Sequence, residues 1–400
     1  MTGSELREAL PVLEDLPDVR GARVLVRADF NTPLQEGEEG VMVVADDFRI
    51  RTALPTLEWL QAQGAEVTAC SHLGRPEGAP DPRWAIAPVA ARLAELCPGV
   101  TMLENLRFFP GEKANDPAYA RSLAQGFDGY VNEAFGVSHR RHASIVGLPA
   151  LLPSAAGRRL AVEVEVLGRL LDQPARPFVG VVGGAKVADK LGVLDALARR
   201  VDVLAIGGAM AFTFLAAMGY GVGASLVDLS HVEDCRRLLH SGAEILLPTD
   251  VVALEPGGVY GAESPPSGPR GDVKVMGRDL PDGWCGLDIG PETAQAFSSA
   301  IVTAGTVLWN GPLGAVEDDR FSSGTAGVAQ AVASCPGFTV VGGGDSAGVL
   351  DRLGLAQSVD FLSTGGGASL ALVELGDLPG LAALRDAVNA PGRRLRPQAG

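Results

Sequence analysis

The chain has 400 residues, 46% of them hydrophobic, and a formal net charge of -15. This length favours two domains of roughly 150 to 250 residues each, and the acidic balance excludes general nucleic-acid binding, which needs broad basic surfaces. Five cysteines without disulfide or metal-ligand spacing, an N-terminus without an apolar signal core and the absence of long apolar runs favour a reducing cytoplasm and no membrane partner.

In the first half of the chain, short apolar segments alternate with helix-like segments. Strands are predicted at ARVLVRADF, AEVTACSHLG, TMLENLRF and GYVNEAFG, and helices at Thr56–Gln63 and Pro88–Leu96. Continuously apolar strands separated by helices are typical of parallel sheets with helices on both faces. We therefore predict an α/β domain, followed by a long amphipathic helix within PSAAGRRLAVEVEVLGRLLDQPARP that connects it to a second domain.

The second half repeats this alternation. Strands are predicted at FVGVVGGA, VDVLAIGGAM, EILLPTDVVAL, TVLWNGPLG and FTVVGGGDS, and helices at Lys190–Arg199 and Thr325–Ala333. The segment EPGGVYGAESPPSGPRGD is rich in Pro and Gly and predicts a surface loop. The domains predicted in this way are residues 1–154, a connecting helix over 155–172, and residues 173–380.

Cationic side chains follow the strands of the first half, and two histidines and two arginines are consecutive in HRRH. Taken singly, each is more typical of a solvated surface arginine or a hydrogen-bonded core histidine than of a binding site. Because ligands of open parallel sheets bind beyond the carboxyl ends of the strands, the set predicts a pocket for an anion that carries phosphate and carboxylate. The cluster comprises Arg27, Arg49, His72, Arg75, Arg107, His139, Arg140 and His142, with Asp29 and Asn31 as candidates to bind a substrate hydroxyl.

Glycine runs follow the strands of the second half. In GGAKVADK, Gly183 and Gly184 precede Lys186 and Lys190, which are two of only four lysines in the chain. A glycine-rich turn that opens a helix is an anion site, and lysine offers phosphate a compact charge. GGGDS adds Asp345, a candidate Mg²⁺ ligand, and WNGPLGAVE adds Glu317, a candidate acceptor for a ribose hydroxyl.

The chain also resembles the phosphoglycerate kinase family over nearly its whole length. The resemblance is carried, in that family's order, by VRADFNTPL, SHLGRP, LENLRFFPGE, AFGVSHRRHAS, LPSAAG, GGAKVADK, WNGPLGAVE, GGGDS and STGGGASL. It implies a monomer of two hinge-bending lobes, with 3-phosphoglycerate on the N-terminal lobe, ADP or ATP with Mg²⁺ on the C-terminal lobe, and residues 381–400 packing back on the first lobe.

The resemblance also implies site residues. The acid would contact Asp29, Phe30, Asn31, Arg49, His72, Leu73, Gly74, Arg75, Arg107 and Arg140, with His139 and His142 as supporting charge. The nucleotide would contact Gly183, Gly184, Lys186, Lys190, Asn310, Glu317, Gly343, Gly344, Asp345 and Ser346, with Asp345 also the metal ligand.

The implied reaction is reversible phosphoryl transfer between 3-phosphoglycerate and ATP, or 1,3-bisphosphoglycerate and ADP, in glycolysis and gluconeogenesis. A carboxylate is already ionised at neutral pH, so no general base is needed, and catalysis comes from positioning and charge neutralisation. We assign catalysis to Arg49, Lys186 and the backbone around Gly366. Two alternatives remain at this point: a non-catalytic nucleotide-binding relative, and a kinase for another carboxylate.

The sequence departs from the family pattern in a few places. Four substitutions keep the expected phosphoryl contacts: Glu133, Ser346, Phe361 and Ala371. The larger departure lies between LAELCPGV and TMLENLRF, where the family usually has an additional strand and helix. We therefore predict an N-terminal lobe shortened by one strand–helix unit, with TMLENLRF paired directly beside AEVTACSHLG.

Overall fold

The computed structural model describes residues 2–261 and 270–389, which divide into two compact units. The first contains residues 2–172 together with 375–389, and the second contains Gln173–Glu374. Of the segment 381–400 predicted to pack on the first lobe, residues 390–400 lie outside the described part. The same is true of residues 262–269 in the predicted Pro/Gly-rich loop.

The first unit alternates strands and helices along the chain. Its elements are α1 (Gly3–Glu8), β1 (Arg23–Arg27), β2 (Leu34–Glu36), β3 (Met42–Val44), α2 (Phe48–Ala62), β4 (Glu66–Cys70), α3 (Ala87–Leu96), β5 (Thr101–Met102), α4 (Pro110–Ala114), α5 (Pro117–Ala124), β6 (Gly129–Asn132), β7 (Ser154–Ala156), α6 (Arg158–Asp172) and, from the end of the chain, α14 (Pro379–Asn389). The strands β2 and β3 form a separate antiparallel hairpin. The other five form a parallel sheet in the order β5-β4-β1-β6-β7.

The edge of this sheet has the predicted arrangement. Strand β5 pairs in parallel with β4, with Thr68 opposite Thr101 and Ala69 opposite Met102. Between Cys97 and Leu103, a fully described stretch, β5 is the only regular element, so α3 alone makes the crossover. The exposed edge is only two residues long, and such a short edge strand offers little backbone to a pairing partner.

The core of the first unit lies between the sheet and its helices. Strands β1 and β4 bury Val24, Val26 and Val67 against Leu57 of α2 and Leu93 of α3. Helix α2 begins at Phe48, earlier than the predicted Thr56. Pro55, which the prediction placed before the helix, lies inside it. The earlier start matters for the site, since it places Arg49 in the first turn of α2.

Helix α6 starts against the end of β6. The carboxylate of Glu133 accepts hydrogen bonds from Thr56 Oγ1 at 2.8 Å and from Arg159 N at 3.1 Å, and so caps the start of α6. The chain has room for this longer side chain because residue 157 is glycine; a Cβ there would overlap Glu133 Oε2. The departure from the family pattern at Glu133 is thus accommodated locally.

Helix α14 packs on the first unit. The amide of Gly380 donates to the carbonyl of Ser138 at 2.9 Å, and the helix lies against the segment Ala143–Ala150. Among the described residues, no single helix is long and apolar enough to span a membrane, and only the pair Gly366–Leu375 and Pro379–Val388, bent by 70°, passes that test when taken together.

The second unit contains a larger parallel sheet. Its elements are β8 (Phe178–Val182), α7 (Leu191–Ala198), β9 (Val203–Ile206), α8 (Met210–Ala217), α9 (Val232–Leu238), β10 (Glu244–Leu246), β11 (Asp250–Leu254), β12 (Val273–Gly277), β13 (Cys285–Ile289), α10 (Pro291–Ile301), β14 (Thr306–Asn310), α11 (Ser323–Ala333), β15 (Phe338–Gly342), α12 (Gly344–Arg352), β16 (Phe361–Ser363) and α13 (Gly366–Leu375). Six strands form the parallel sheet β10-β9-β8-β14-β15-β16. Its core packs Val181 and Trp309 of the sheet with Phe297 of α10 and Val328 of α11.

One predicted strand of this unit is wrong. EILLPTDVVAL splits at Pro248 into β10, which joins the parallel sheet, and β11, which joins an antiparallel sheet of order β12-β11-β13. Proline has no N–H for a ladder, and so it ends β10. The α/β class with parallel sheets flanked by helices is confirmed. The additional antiparallel sheet was not predicted, since β12 is largely exposed and β13, although more buried, is interrupted by Gly286 and Asp288 and has no continuous apolar run.

Candidate active sites

The strands β1, β4 and β6 of the first unit are adjacent and parallel, so their carboxyl ends meet at one edge. Asp29 follows β1, His72 follows β4, and Glu133 follows β6. This juxtaposition brings together side chains that are distant in the sequence, as the pattern of strand ends predicts.

Asp29 and Arg49 form an ion pair at the centre of this edge. Arg49 Nη1 lies 2.5 Å from Asp29 Oδ2, and Asp29 is largely buried. Burial raises the pKa of Asp29, but Arg49 and then the other nearby cations outweigh it and hold the pKa below its usual range, so the carboxyl is ionised at neutral pH. Its second oxygen, Oδ1, is buried and has no hydrogen-bond partner in the described part of the chain, which makes it an acceptor for a ligand hydroxyl.

His72 is a neutral imidazole. It is almost fully buried, and its Nδ1 lies 3.2 Å from Nη2 of the fully buried Arg27. Burial lowers the pKa of His72 well below its usual range. The predicted cationic histidine is therefore a polar, uncharged group at neutral pH.

Arg107 and Arg140 supply positive charge to the same edge. Arg107 is buried, donates from Nη1 to the carbonyl of Gly74 at 2.6 Å, and keeps a buried Nε–H without a partner among the described residues. Burial, followed by the like charge of Arg140, lowers the pKa of Arg107 to about 10, so it remains a cation at neutral pH. Arg140 is exposed, and its side chain makes no hydrogen bond or ion pair within residues 2–261 and 270–389.

The histidines of HRRH are not supporting charges. Burial and then Arg27 lower the pKa of His142 to about 4, and burial also lowers the pKa of His139. The Nδ1 atoms of both rings are buried without a hydrogen-bond partner in the described chain. The physical reason for the correction is that a ring desolvated among arginines holds a proton poorly.

The other residues that the resemblance implies for the acid site include both exposed polar side chains and buried apolar ones. Asn31 is exposed and holds the loop after β4 by accepting from the Gly74 amide at 2.8 Å, and Arg75 is exposed and unpaired within the described residues. Phe30 and Leu73 are core side chains, and their amides already donate to Ser71 Oγ at 2.9 Å and Asn105 Oδ1 at 3.2 Å. These two residues shape the site through the backbone rather than through side chains.

The glycines of the second unit bring three loops together beyond the parallel sheet. A Cβ at Gly183 would overlap the carbonyl of Pro312, and one at Gly208 would lie 2.7 Å from the amide of Gly184. Likewise, a Cβ at Gly366 would lie 2.7 Å from Gly343 N. The starts of α12 and α13 are therefore in contact, and the unpaired N–H groups of a helix start favour anions.

The two lysines of GGAKVADK have different surroundings. Lys190 Nζ donates to Gly183 O at 2.6 Å and to Asn310 Oδ1 at 3.0 Å, and lies 3.4 Å from Asn310 O, so its three N–H groups face protein acceptors. Burial lowers the pKa of Lys190 to about 8, against the raising effect of Asp345 and Asp189. Lys186 is exposed and makes no such bond in the described structure, so it is the lysine free to meet a phosphoryl group.

We predict that Lys190→Met destabilises the second unit by about 1 to 3 kcal/mol at pH 7, because Gly183 O and Asn310 Oδ1 lose their donor. The pKa of Lys190 is lowered on folding from 10.5 to about 8. The unfolded chain therefore binds more protons between these values, and the wild-type protein gains stability over the variant as pH rises through that window. Denaturant titrations at pH 7, 8 and 9.5, with the exposed Lys274→Met as control, measure this; equal stability at pH 7 or a gap that narrows with pH would contradict it.

Asp345 and Ser346 lie at the start of α12. Asp345 is exposed in the first turn, and Ser346 is buried and accepts a hydrogen bond from Gly311 N at 2.8 Å. The hydroxyl that replaces the family's usual threonine thus orders the loop after β14. Glu317 is exposed beside Gly261. No hydrogen bond or ion pair in the described part of the chain joins it to the other residues that are predicted to bind nucleotide.

A Mg²⁺ ion that arrives with a nucleotide fits this arrangement. No group of three or more metal-ligating side chains occurs among the described residues, so no ready-made all-protein metal site is found there. Mg²⁺ in nucleotide enzymes is typically bound by one or two carboxylates and by phosphate oxygens. The single exposed carboxylate of Asp345 beside the two helix starts matches that donor set.

Three buried polar residues that build the first site were not predicted from the sequence. Asn105 is fully buried and donates to the carbonyls of Leu73 and Trp84, both at 2.8 Å, and thereby fixes the loop that carries His72. Glu112 and Ser144 are also fully buried beneath the cations. The signal that could have found them was their position inside the blocks LENLRFFPGE and AFGVSHRRHAS, since the burial of a polar residue cannot be inferred from its type alone.

Two parallel α/β sheets in separate units, with a cationic cluster beyond one and a glycine-lined cluster beyond the other, define a two-domain α/β protein with the organisation of a phosphotransferase. The sequence model of the family "Phosphoglycerate kinase" matches residues 13–100 and 97–375. The two matched stretches meet directly before β5, where the additional strand and helix are predicted to be missing. The chain therefore belongs to the phosphoglycerate kinase family.

Individual relatives support the same assignment. The phosphoglycerate kinase of Rubrobacter xylanophilus is 48% identical over 391 residues, which is 92% of this chain and 96% of the relative. That of Salinispora arenicola is also 48% identical, over 94% of this chain and 99% of the relative. Among solved structures, phosphoglycerate kinase from Coxiella burnetii is similar with a TM-score of 0.79 at 33% identity, over 94% of this chain and 99% of that one. The predicted family and enzyme class are confirmed, and the non-catalytic alternative is not favoured.

Proposed function

We propose that the protein catalyses reversible phosphoryl transfer between the carboxylate of 3-phosphoglycerate and the terminal phosphate of ATP. The observation that carries this proposal is the pair of buried, unpartnered groups at the first site, Asp29 Oδ1 and Arg107 Nε, beside the cations Arg49 and Arg140. Unpaired buried polar atoms are costly, so a site that retains both an acceptor and a donor is prepared for a ligand that supplies the complements. A hydroxyl, a carboxylate and a phosphate on one small molecule do so.

Each proposed role at the acid site follows from the group's environment. Asp29 is ionised and accepts from the substrate hydroxyl through its free Oδ1. Arg107 and Arg140 remain cationic and bind phosphate and carboxylate oxygens, for which guanidinium groups are suited by geometry. The neutral His72 contributes a hydrogen bond rather than a charge. Asn31, Arg75 and the backbone of Phe30, Leu73 and Gly74 complete the proposed pocket.

The nucleotide site is proposed on the second unit. The starts of α12 and α13, with Gly343, Gly344 and Gly366, present backbone N–H groups to phosphate oxygens, and Lys186 supplies a mobile positive charge. Asp345 would hold Mg²⁺, which when bound supplies further neutralisation of the phosphate charge. The remaining proposed contacts are Gly183, Gly184, Asn310, Glu317 and Ser346, whereas Lys190 orders the site through its bonds to Gly183 O and Asn310 Oδ1.

Charge neutralisation is the main chemical task in this reaction. The attacking carboxylate needs no deprotonation, and the predicted catalytic groups, Arg49, Lys186 and the backbone of Gly366, are a cation, a cation and an N–H donor. Arg49 is held by Asp29 in the first turn of α2, so its guanidinium is oriented before substrate binds. We further propose a cytoplasmic monomer without nucleic-acid or membrane partners.

A coupled assay with ATP and 3-phosphoglycerate tests the proposal. We expect Mg²⁺-dependent formation of ADP that requires 3-phosphoglycerate, and parallel assays with acetate, aspartate and glycerate test the alternative of another carboxylate substrate. ADP formation with one of these acids but not with 3-phosphoglycerate would overturn the substrate assignment, and nucleotide binding without turnover of any acid would overturn catalysis.

We predict that Arg140→Ala weakens 3-phosphoglycerate binding by about ten- to hundredfold and leaves ADP binding unchanged. The reason is that a charge-assisted hydrogen bond contributes about 1.5 to 3 kcal/mol, and Arg140 and the nucleotide loops belong to different units. Calorimetry with each ligand measures the effect. Arg141→Ala, which removes an adjacent exposed arginine, is the matched control; equal losses for both ligands in Arg140→Ala would refute the assignment of the acid to the first unit.

A further inference from the structure

A buried chain of hydrogen bonds runs beneath the first site from Glu112 to His72. Ser144 donates to Glu112 twice, from Oγ to Oε1 at 2.6 Å and from the backbone N to Oε2 at 3.0 Å. Arg27 Nε then donates to Ser144 Oγ at 3.0 Å, and Arg27 Nη2 lies 3.2 Å from His72 Nδ1. Glu112, Ser144 and Arg27 are completely inaccessible to solvent.

The hydrogen bonds from Glu112 to His72 have only one consistent donor-to-acceptor direction. Both oxygens of the Glu112 carboxylate accept from Ser144, so the Ser144 hydroxyl proton points to Glu112 and its oxygen is left to accept from Arg27. A guanidinium can only donate. His72 Nδ1 must therefore accept from Arg27, and the ring proton must be on Nε2.

The direction of these hydrogen bonds also explains why the neighbouring Asp29 Oδ1 has no partner. His72 Nδ1 is 3.9 Å from Asp29 Oδ1, but an Nδ1 atom without a proton cannot donate to it. Asp29 Oδ1 is accordingly left without a partner among the described residues. The one hydrogen bond of the His72 ring within the described residues is at Nδ1, so Nε2–H makes none there. An acceptor and a donor are thus both available at the same edge.

The charge of Arg27 explains why this series of hydrogen bonds starts at a carboxylate. A fully buried guanidinium needs a compensating negative group, and Glu112 meets it through the Ser144 hydroxyl rather than by direct contact. Ser144 lies in a π-helical turn, Ala143–Gly147, directly after HRRH. π turns are rare and frequently occur at functional sites, and this one brings a hydroxyl between two buried charges.

We propose that Glu112 is a positioning residue: through Ser144 and Arg27 it fixes His72 as the neutral tautomer protonated on Nε2, which donates to the acid substrate. The identity of that substrate rests on the proposed function, whereas the tautomer does not. Glu112 itself touches no reacting group in this scheme.

The variant Glu112→Gln tests the direction of the chain. A glutamine keeps the shape but has one acceptor and one donor, so either the Ser144 amide or the Ser144 hydroxyl loses its acceptor. If the new amide donates to Ser144 Oγ, that oxygen faces two donors and its own proton has no acceptor. We expect the fixed direction of the hydrogen bonds to be lost and 3-phosphoglycerate binding to weaken by roughly tenfold or more, since a mispaired buried polar group costs about 1 to 3 kcal/mol.

Ser144→Ala is the second variant, because it removes the relay but keeps the buried carboxylate. Glu163→Gln is the matched control. Glu163 is equally buried in the same unit and pairs with Arg159 at 2.9 Å, but it lies on α6 outside the chain of bonds. The folded protein of each variant is purified, and its affinities for 3-phosphoglycerate and for ADP are measured by calorimetry.

The decisive readout is the ¹⁵N spectrum of the His72 ring, which is tractable because the chain has only five histidines. In the wild-type protein at pH 7 we expect an unprotonated Nδ1 and a protonated Nε2. In Glu112→Gln and Ser144→Ala the acceptor that holds Arg27 Nε in place is disturbed or lost, so the guanidinium can move away from His72 Nδ1 and we expect a mixture of tautomers. Glu163→Gln leaves Arg27 in place and should keep the wild-type tautomer. A protonated Nδ1 in the wild-type protein, or an unchanged tautomer and unchanged acid affinity in the folded variants, would overturn the proposal. If the wild-type protein fails to bind 3-phosphoglycerate, the proposed function fails, and the ring spectrum still decides the role of Glu112.

Discussion

Lys186→Ala is expected to lower kcat by about a hundred- to a thousandfold while changing nucleotide affinity little. The side chain is exposed at the turn after β8, and it makes no hydrogen bond to any described residue, so the ground state gains little from its presence. Its charge becomes important when negative charge redistributes over the transferred phosphoryl group, and the loss of one such electrostatic contact typically costs a factor of this size.

Steady-state kinetics with ATP and 3-phosphoglycerate, combined with ADP calorimetry, measure this prediction. Lys274→Ala is the control, because it removes another exposed lysine of the same unit, one that lies in β12 with its ammonium group 5.2 Å from the centre of the Trp284 ring. An Lys186→Ala enzyme with unchanged kcat and only a raised KM for ATP would show that the lysine binds the ground state and would remove it from catalysis.

The contrast between Lys186 and Lys190 shows a limit of the sequence. Both lysines were predicted to contact nucleotide, because both follow the glycines of GGAKVADK. Whether an ammonium group faces solvent or three protein acceptors depends on the position of Asn310, which is 120 residues further along the chain. Local spacing carries no information on that contact, whereas the parallel pairing of β8 with β14 creates it.

Other parts of the fold were predictable for clear physical reasons. Continuously apolar segments ending in small or polar residues identified β1, β4, β6, β8, β9, β14 and β15, because strands buried on both faces leave little choice of residue. The pairing of β5 beside β4 was predicted correctly, since the chain before it is long enough for only one crossover helix. The extent of the strand was not: only Thr101 and Met102 of TMLENLRF form β5, and Leu106–Phe108 form a 3₁₀ turn. Strand β12 escaped prediction because three of its five residues are exposed and it pairs with β11 in a local antiparallel sheet.

Charge states were the least predictable property of the candidate acid site. HRRH was interpreted as a positive wall, yet the structure leaves positive charge on Arg107 and Arg140 and holds the histidines neutral by burial. The composition of a segment indicates which groups are present, but protonation depends on desolvation and on neighbours from other strands. An acidic protein can therefore gather arginines in one place without adding to their mutual repulsion, since the histidine rings beside them carry no charge.

Gly366→Ala is expected to weaken nucleotide binding by about ten- to hundredfold. An added Cβ would overlap Gly343 Cα and lie 2.7 Å from Gly343 N, so the contact between the starts of α12 and α13 is possible only without a side chain. Both neighbours are backbone atoms and cannot rotate away. Overpacking of this kind costs about 1 to 3 kcal/mol, and here the loops can relieve it only by separating.

Separation of the loops acts on the nucleotide site in two ways. It moves the Gly344 and Gly366 amides apart, and it breaks the hydrogen bond from Asn310 Nδ2 to the Gly366 carbonyl, which is 3.3 Å long. The proposed Mg²⁺ ligand Asp345 follows Gly344 directly and would move with it. We therefore expect the loss to be larger for Mg²⁺-ATP than for ADP without metal.

Gly348→Ala provides the matched control for this prediction. Gly348 lies in the same helix α12, but the nearest atom to an added Cβ is Arg352 Nη1 at 3.9 Å, so the side chain has room. Alanine favours a helix interior over glycine by about 1 kcal/mol, so the control should be as stable as the wild-type protein or more stable, with unchanged affinity. Calorimetry of ADP and Mg²⁺-ATP with the three proteins measures the effect. Equal affinities in Gly366→Ala and Gly348→Ala would show that the contact between the two helix starts does not shape the nucleotide site.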